Sequence, residues 1–217
     1  MGASPNFGPR RDGLRPELVV LHYTAMADCA AAERVLCDPE REVSAHYLIS
    51  ATGRVITLVD EDMRAWHAGA GSWRGRGDVN SRSIGIELDN DGASPFSAAL
   101  MTALEGVLQD ILTRWSIGPE GVIGHSDMAP GRKIDPGPRF DWRRLARSGL
   151  TVWPEIDAPV EVNEAQFVMD AQRFGYPEMS VDLLTKTLRL RFRPWARGPL
   201  DGWDCAIMAD LAKRFGN

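Results

Sequence analysis

Short apolar runs alternate with longer segments of helical spacing along most of the chain. Residues 18–21 are all apolar and predict a buried strand, and residues 121–124 predict a second one. Residues 83–88 alternate between apolar and polar or small side chains, which predicts a strand with two unlike faces. Apolar positions over 100–115 recur every three or four residues and predict a helix. Strands that alternate with helices indicate an α/β domain that extends to about residue 150.

The segments between these elements are mostly turns and loops. Residues 27–36 predict a short helix, and residues 46–50 and 54–59 flank a glycine-containing turn that predicts a hairpin. Residues 68–81 are dense in glycine and polar residues, and a loop of this length is typical of a functional segment. Residues 126–139 contain three prolines and predict an irregular loop.

The chain changes character after the α/β domain. A linker is predicted over 154–162, followed by three short helices near 163–174, 180–192 and 203–215. The expected organisation is therefore a main domain, a linker and a helical module, with boundaries at 1–153, 154–162 and 163–217.

The composition of the chain argues against several classes of function. The 217 residues carry a net charge of −5, whereas a general nucleic-acid binder usually shows a basic excess, so no nucleic-acid partner is expected. Three cysteines without a CxxC pair argue against a disulfide framework and a thiolate zinc finger. No apolar run is long enough for a transmembrane segment, and no signal peptide is recognised. The expected location is the cytoplasm, although a missing export signal would leave the same sequence.

The candidate chemistry begins with four histidines, of which His22 and His125 end predicted strands. Sites in α/β sheets collect beyond the carboxyl ends of strands, and two histidines with one carboxylate can form a catalytic zinc site. Asp127 and Asp135 both lie in the following loop, and spacing does not choose between them. A single histidine is more often structural, and Glu87 could equally be a solvated strand carboxylate.

Four blocks of the sequence together resemble a known family. They are VVLHYTA at 19–25, WHAG at 66–69, SIGIEL at 83–88, and HSD at 125–127 followed by GRKIDPG at 131–137. These blocks resemble the AmpD-like zinc N-acetylmuramoyl-L-alanine amidases of the amidase-2 family, which share a fold with peptidoglycan recognition proteins. The resemblance covers about residues 15–150.

The resemblance implies a mixed central β-sheet flanked by helices and one Zn²⁺ per chain, held by His22, His125 and Asp135. It places the catalytic carboxylate at Glu87 and a catalytic lysine at Lys133. The family's substrate groove falls on four further residues: Trp66, His67, Asn80 and Arg132. The implied reaction is hydrolysis of the amide between N-acetylmuramic acid and L-Ala in muropeptides, with the 1,6-anhydro sugar expected, in peptidoglycan recycling.

The helical segment carries a second, weaker resemblance. Residues 163–217 resemble the three-helix peptidoglycan-binding module of some of these amidases. The alternative is a helical cap that only covers apolar surface. Trp195 and Trp203 could bind sugar or fill a core, and the arginines could meet peptide carboxylates or stay solvated: Arg189, Arg191, Arg193 and Arg197.

Two alternatives to a recycling amidase stay open. One is an exported hydrolase that acts on intact peptidoglycan, and the other is a non-catalytic peptidoglycan-binding protein. Muropeptide or peptidoglycan is the expected binding partner in each case, and the sequence indicates no protein partner.

Overall fold

The computed structural model describes residues 3–216. The strands are β1 (Phe7–Pro9), β2 (Leu18–Tyr23), β3 (Tyr47–Ile49), β4 (Val55–Thr57), β5 (Met63–Ala65), β6 (Ser83–Leu88) and β7 (Val122–Gly124). A central sheet of five strands has the order β4-β3-β6-β2-β7, and a second sheet pairs β1 with β5. In the central sheet, β6 pairs parallel with β3 and β2, and β2 pairs parallel with β7, whereas β4 pairs antiparallel with β3. The expected mixed sheet is confirmed.

Eight α-helices surround the sheet in the described part of the chain. They are α1 (Cys29–Leu36), α2 (Val79–Arg82), α3 (Ala98–Trp115), α4 (His125–Met128), α5 (Trp142–Arg147), α6 (Glu164–Phe174), α7 (Val181–Phe192) and α8 (Gly202–Phe215). Helix α3 begins where Ser97 accepts a hydrogen bond from the Leu100 amide, and it ends at Ser116 in the left-handed region. The helices predicted over 27–36, over 100–115 and in the C-terminal part are therefore present.

The irregular loop predicted over 126–139 begins instead with one helical turn, α4. The Asp127 carboxylate accepts a hydrogen bond from the Gly124 amide at 2.8 Å, and the Ala129 amide donates to the His125 carbonyl. These two bonds close the turn, and a single turn leaves no periodicity in the sequence. Helices α2 and α5 are also too short to have been predicted from spacing.

Each face of the sheet is covered by helices. On one face, Val19, Leu21 and the apolar positions of β6 pack in one cluster with α3 and α5. On the other face, Leu18, Val20 and Ile123 belong to a cluster that also contains core residues of α6, α7 and α8. The three C-terminal helices therefore share a continuous core with the sheet. The predicted boundaries at 153 and 163 stay a prediction.

Candidate metal centre

Parallel strands bring the candidate residues to one edge of the sheet. Strand β2 carries His22 and the adjacent β6 carries Glu87, and these two residues are direct partners in the ladder. On the other side of β2, strand β7 ends at Gly124 and α4 begins at His125. The histidines and Glu87 therefore meet beyond the carboxyl ends of three neighbouring strands, where sites of α/β sheets form.

Three potential ligand atoms converge at this edge. The Nδ1 atoms of His22 and His125 lie 2.9 Å apart, and each lies 3.0 Å from Oδ2 of Asp135. All three residues are buried. The structure thus brings together the predicted set and selects Asp135, rather than Asp127, as the neighbouring carboxylate.

The hydrogen-bond partner of Nε2 decides which ring nitrogen of His125 carries the proton. His125 Nε2 lies 2.8 Å from the carbonyl oxygen of Ala68. A carbonyl only accepts hydrogen bonds, so the ring proton of neutral His125 is on Nε2. Its Nδ1 therefore presents a lone pair to the point where Asp135 and His22 converge.

A chain of hydrogen bonds fixes the protonation of His22 in the same way. The Ser83 hydroxyl donates to the Val79 carbonyl at 2.6 Å, so its oxygen accepts from His67 Nε2 at 3.1 Å. His67 Nδ1 is then an acceptor for His22 Nε2, at 3.0 Å. Nδ1 of His22 is left without a proton. Both candidate ligand histidines thus have the outer partners typical of metal-binding imidazoles.

Strand β6 makes room for this chain at Gly85. A Cβ atom at this position would lie 2.4 Å from Cγ of His67, closer than real carbon atoms approach. Glycine in the middle of a strand often marks such a close approach. The WHAG block and the SIGIEL block are therefore matched to each other in space.

The donor set fits a divalent metal ion. Two imidazole lone pairs and a carboxylate oxygen at 2.9–3.0 Å from one another would repel without a cation between them. Three protein ligands of this kind, with one side open, are the set found in catalytic zinc sites. Burial and the nearby His125 lower the pKa of His22 to about 4, which keeps its ring neutral and ready to bind metal.

A cavity of about 530 Å³ opens onto this point, and its walls include Trp66, Glu87 and Lys133. Oε2 of Glu87 is buried and has no hydrogen-bond partner among residues 3–216. Burial, and then Asp135, raise the pKa of Glu87 to about 8, and Lys133 opposes the shift. Glu87 is half-buried and lines the cavity, so its carboxyl group faces the cleft.

The other predicted site residues fall into two groups. Trp66, His67 and Arg132 line the cavity, although His67 also holds His22 and Arg132 donates to the Ala68 carbonyl at 2.7 Å. Asn80 is buried and does not line the cavity. Its Oδ1 accepts hydrogen bonds from the amides of His67 and Ala68, at 3.0 and 2.8 Å. A direct contact between Asn80 and substrate stays a prediction.

Two candidates from the sequence have structural partners instead. His46 is buried, with Nδ1 accepting from the Gly85 amide and Nε2 beside the Met63 carbonyl. Asp127 is buried against Arg191 and Tyr176. Nothing in the spacing of the sequence indicated the Ala68 carbonyl, Ser83 or these two C-terminal side chains as neighbours of the site.

The C-terminal arginines need a correction. Arg189 and Arg191 are neither solvated nor available to peptide carboxylates, because both are buried in ion pairs. Arg193 pairs with Asp201 and Asp204. The alternation of Arg189 and Arg191 along α7 is typical of a charged surface, but their partners Asp204 and Asp127 lie 15 and 64 residues away in sequence.

The family comparison agrees with this geometry. A family model described as N-acetylmuramoyl-L-alanine amidase matches residues 12–138. The chain belongs to this family. The resemblance stated from the four sequence blocks is confirmed, and so is the enzyme class, since similar proteins are described as N-acetylmuramoyl-L-alanine amidase and 1,6-anhydro-N-acetylmuramyl-L-alanine amidase.

Two relatives illustrate the range of the family. The N-acetylmuramoyl-L-alanine amidase AmiD of Escherichia coli K12 is 35% identical, over 93% of this chain and 84% of its own length. The 1,6-anhydro-N-acetylmuramyl-L-alanine amidase AmpD of Citrobacter freundii is 35% identical, over 65% of this chain and 85% of its own length.

Solved structures give the same result. Escherichia coli AmiD, in complex with anhydro-N-acetylmuramic acid-L-Ala-D-γ-Glu-L-Lys, superposes with a TM-score of 0.86 at 34% identity, over 95% of this chain and 92% of that one. Pseudomonas aeruginosa AmpDh3 with an anhydromuramic pentapeptide gives 0.85 at 31% identity, over 95% of both chains. Such coverage extends into the C-terminal helices. Among residues 3–216, no helix has the length and apolar content needed to cross a bilayer.

Proposed function

We propose that this protein hydrolyses the amide bond between the lactyl group of N-acetylmuramic acid and L-Ala in muropeptides, using one zinc ion per chain bound by His22, His125 and Asp135. The observation that carries the proposal is the convergence of two unprotonated imidazole nitrogens and a carboxylate oxygen beside Glu87, at the floor of an open cavity. A binding-only protein would need neither the ligand set nor an unpaired buried carboxyl group.

The relatives support the substrate class. AmpD of Citrobacter freundii is described as acting on the 1,6-anhydro sugar, and the AmiD and AmpDh3 structures contain anhydromuramic peptides. By analogy, recycled muropeptides that end in a 1,6-anhydro sugar are the substrates proposed here. The cavity of about 530 Å³ lies within the range of small-molecule sites.

The residues of the chain divide the chemistry among them. Zinc, when bound, would polarise the substrate carbonyl and make the attacking water more acidic. The Glu87 carboxylate accepts a proton from that water and later delivers it to the nitrogen of L-Ala as the C–N bond breaks. Lys133, at the cavity rim, places a positive charge near the oxygen on which negative charge develops.

The residues of the cavity wall orient the substrate. Trp66 offers an apolar face, and Arg132 offers a guanidinium group that also secures the backbone of Ala68. Asn80 acts on the substrate indirectly, because its Oδ1 accepts hydrogen bonds from the backbone amides of His67 and Ala68. We expect Asn80→Ala to disturb substrate binding through this segment.

The decisive experiment uses purified protein with and without a chelator. Anhydro-muropeptides and intact sacculi are offered in parallel, products are analysed by mass spectrometry, and zinc content is measured separately. We expect about one zinc per chain and chelator-sensitive release of free peptide from the anhydro compounds. Comparable release from sacculi would instead favour a wall hydrolase. Binding of either compound without release of peptide would identify a binding protein.

The C-terminal helices offer a candidate second contact with peptidoglycan. A groove of about 810 Å³ between the linker, α5, α7 and α8 is lined by Trp195 and Trp203, which are 69% and 38% exposed. Large exposed aromatic side chains of this kind often mark a binding surface. We expect Trp195→Ala to weaken retention on sacculi without changing turnover of small muropeptides. Equal retention would favour the capping role.

The cytoplasmic location expected from the sequence is part of the same proposal. Its support is the proposed substrate, since muropeptides with an anhydro sugar are small recycled fragments. Fractionation of the producing cells, followed by detection of the full-length protein, tests it. Recovery from the envelope or the extracellular fraction would overturn the location and favour the wall hydrolase.

A further inference from the structure

A buried polar cluster joins the C-terminal helices to the metal centre. Arg191 of α7 donates from Nη1 to Oδ2 of Asp127 at 3.0 Å, and the Tyr176 hydroxyl donates to Oδ1 at 2.9 Å. The side chains of Arg191 and Asp127 are each only 1% exposed. Asp127 lies in α4, two residues after the metal-ligand candidate His125.

Arg191 holds the chain on both sides of His125. Its Nη2 donates to the Val122 carbonyl of β7 at 3.1 Å and to the Thr151 hydroxyl at 2.8 Å. One guanidinium group therefore contacts the strand that ends before His125 and the carboxylate that follows it. The planar, forked guanidinium fixes the two elements at a defined distance, which a point charge would not do.

The same cluster also influences the third ligand. The Asp127 carboxylate caps α4 by accepting from the Gly124 amide, and the Ser126 amide donates to the Asp135 carbonyl at 2.9 Å. Any shift of α4 would therefore move His125 and the backbone of Asp135 together. His22, by contrast, is held by His67 and the ladder of β2.

We infer that Arg191 and Tyr176 are positioning residues for the metal centre, acting through Asp127, so that the C-terminal helices form part of the active-site scaffold. The inference rests on the proposed function for the identity of the metal. The docked helices place α4, and α4 presents His125 and the Asp135 segment to the zinc ion. Outer groups that orient metal ligands commonly change metal affinity by about 10- to 100-fold when removed.

The chain offers a matched control for a purely structural salt bridge. Arg189, two residues before Arg191 on α7, is also buried and pairs with Asp204 of α8. Its remaining bonds go to the carbonyls of Gly198 and Pro199, all within the C-terminal part. Arg189→Met therefore breaks a comparable buried ion pair that has no bond to β7 or α4.

The test compares full-length wild-type protein with three variants: Arg191→Met, Arg191→Lys and Arg189→Met. Zinc affinity is measured by competition with a chromophoric chelator, thermal unfolding is measured on the metal-free proteins, and kcat and KM are measured with an anhydro-muropeptide. We expect both methionine variants to unfold at lower temperature. Only Arg191→Met should weaken zinc binding, by roughly 10-fold, with partial recovery in Arg191→Lys.

Tyr176→Phe covers the case in which Arg191→Met does not fold. It removes a single hydroxyl, whose hydrogen bond goes to Asp127, and we expect zinc affinity to fall by roughly threefold. Wild-type zinc affinity in folded Arg191→Met, or in Tyr176→Phe where the former does not fold, would overturn the inference. Equal loss in Arg189→Met would do the same. Failure of the wild-type protein to bind zinc would refute the proposed function itself.

Discussion

Two aspartates in the same segment, Asp127 and Asp135, have opposite surroundings. Both are buried, and they are eight residues apart. Asp127 is surrounded by donors: an arginine, a tyrosine hydroxyl and a backbone amide. Asp135 faces the Nδ1 atoms of His22 and His125, at 3.0 Å each.

The groups around a buried carboxylate distinguish a structural role from a role as a metal ligand. A buried charge must be compensated, and the cation for Asp127 is supplied by the protein itself. Around Asp135 the protein supplies further lone pairs instead of a cation. The proposed zinc ion would supply the compensation there, and residue type alone does not reveal this difference.

The roles of Asp127 and Asp135 can be separated by removing each charge in turn. We expect Asp135→Asn to abolish turnover and to reduce zinc affinity by at least about 10²-fold, a larger effect than loss of an outer partner. The stability of the metal-free protein should barely change. Asp127→Asn should instead cost roughly 3 kcal/mol of unfolding free energy, because Arg191 is left buried without its counter-charge.

Denaturant unfolding of the metal-free proteins and chelator competition measure the two effects side by side. Asp127→Asn is expected to retain most of its zinc, with a loss no greater than that of Arg191→Met. Loss of zinc from folded Asp127→Asn as severe as from Asp135→Asn would mean that both carboxylates act on the metal alike.

Glu87 adds a third carboxyl group, which is half-buried and whose Oε2 has no hydrogen-bond partner among residues 3–216. We expect Glu87→Gln to lower kcat by roughly 10²- to 10⁴-fold, the usual contribution of a positioned acid–base group. Zinc content should stay at the wild-type level, since Glu87 is not among the three converging ligands. Single-turnover kinetics measure the loss of rate, and metal analysis measures the zinc content. Near-normal turnover would remove Glu87 from the mechanism.

Lys133 tests whether the open side of the site needs a fixed positive charge. We expect Lys133→Met to lower kcat by about 10²-fold while KM changes little, because the charge acts on the developing oxyanion. Steady-state kinetics on anhydro-muropeptides measure the split. A rise in KM alone would show that Lys133 binds the substrate without stabilising the transition state.

The smallest expected effect is the pH dependence of stability in the metal-free protein. Burial lowers the pKa of His22 and of His46 to about 4, so below pH 6.5 the unfolded chain binds more protons and stability rises with pH. Glu87, whose pKa is raised to about 8, acts in the opposite direction. Above pH 6.5 the histidines of the unfolded chain release their remaining protons and offset part of the loss from Glu87, so stability should fall by roughly 0.5–1 kcal/mol by pH 8.

Denaturant unfolding at pH 5.5, 6.5 and 8 locates this maximum. Glu87→Gln is the matched control, because it keeps the shape of the side chain but does not titrate, and its stability should rise by roughly 1 kcal/mol between pH 6.5 and 8 instead of falling. A wild-type curve that continues to rise up to pH 8 would contradict the raised pKa of Glu87.

The elements that bring the ligands together could be predicted from the sequence. The apolar runs locate β2 and β7, and the alternation over 83–88 locates β6 with Glu87 opposite its apolar face. Local spacing is sufficient here because buried strands have short, continuous apolar signatures. The choice of Asp135 over Asp127 came only from the family resemblance.

The contacts between distant segments could not be predicted in this way. Arg191 lies 64 residues from Asp127 in sequence, and Tyr176 lies 49 residues away. A helix with alternating arginines has the pattern of a charged surface, and only tertiary packing shows that two of them are buried. The separation into a domain and a module has the same weakness, since a shared core leaves no mark on the linker between them.

The absence of a Cβ atom at Gly85 limits which residues this position can carry in evolution. Because the missing Cβ of Gly85 leaves space for the His67 ring, the smallest evolutionary step at this position, from glycine to alanine, would collide with the group that holds His22. Residue 85 therefore cannot become larger while His67 stays in place. A natural homologue with a larger residue at 85 should also have replaced the histidine at 67, and such paired changes would mark lineages that have given up this way of orienting the ligand.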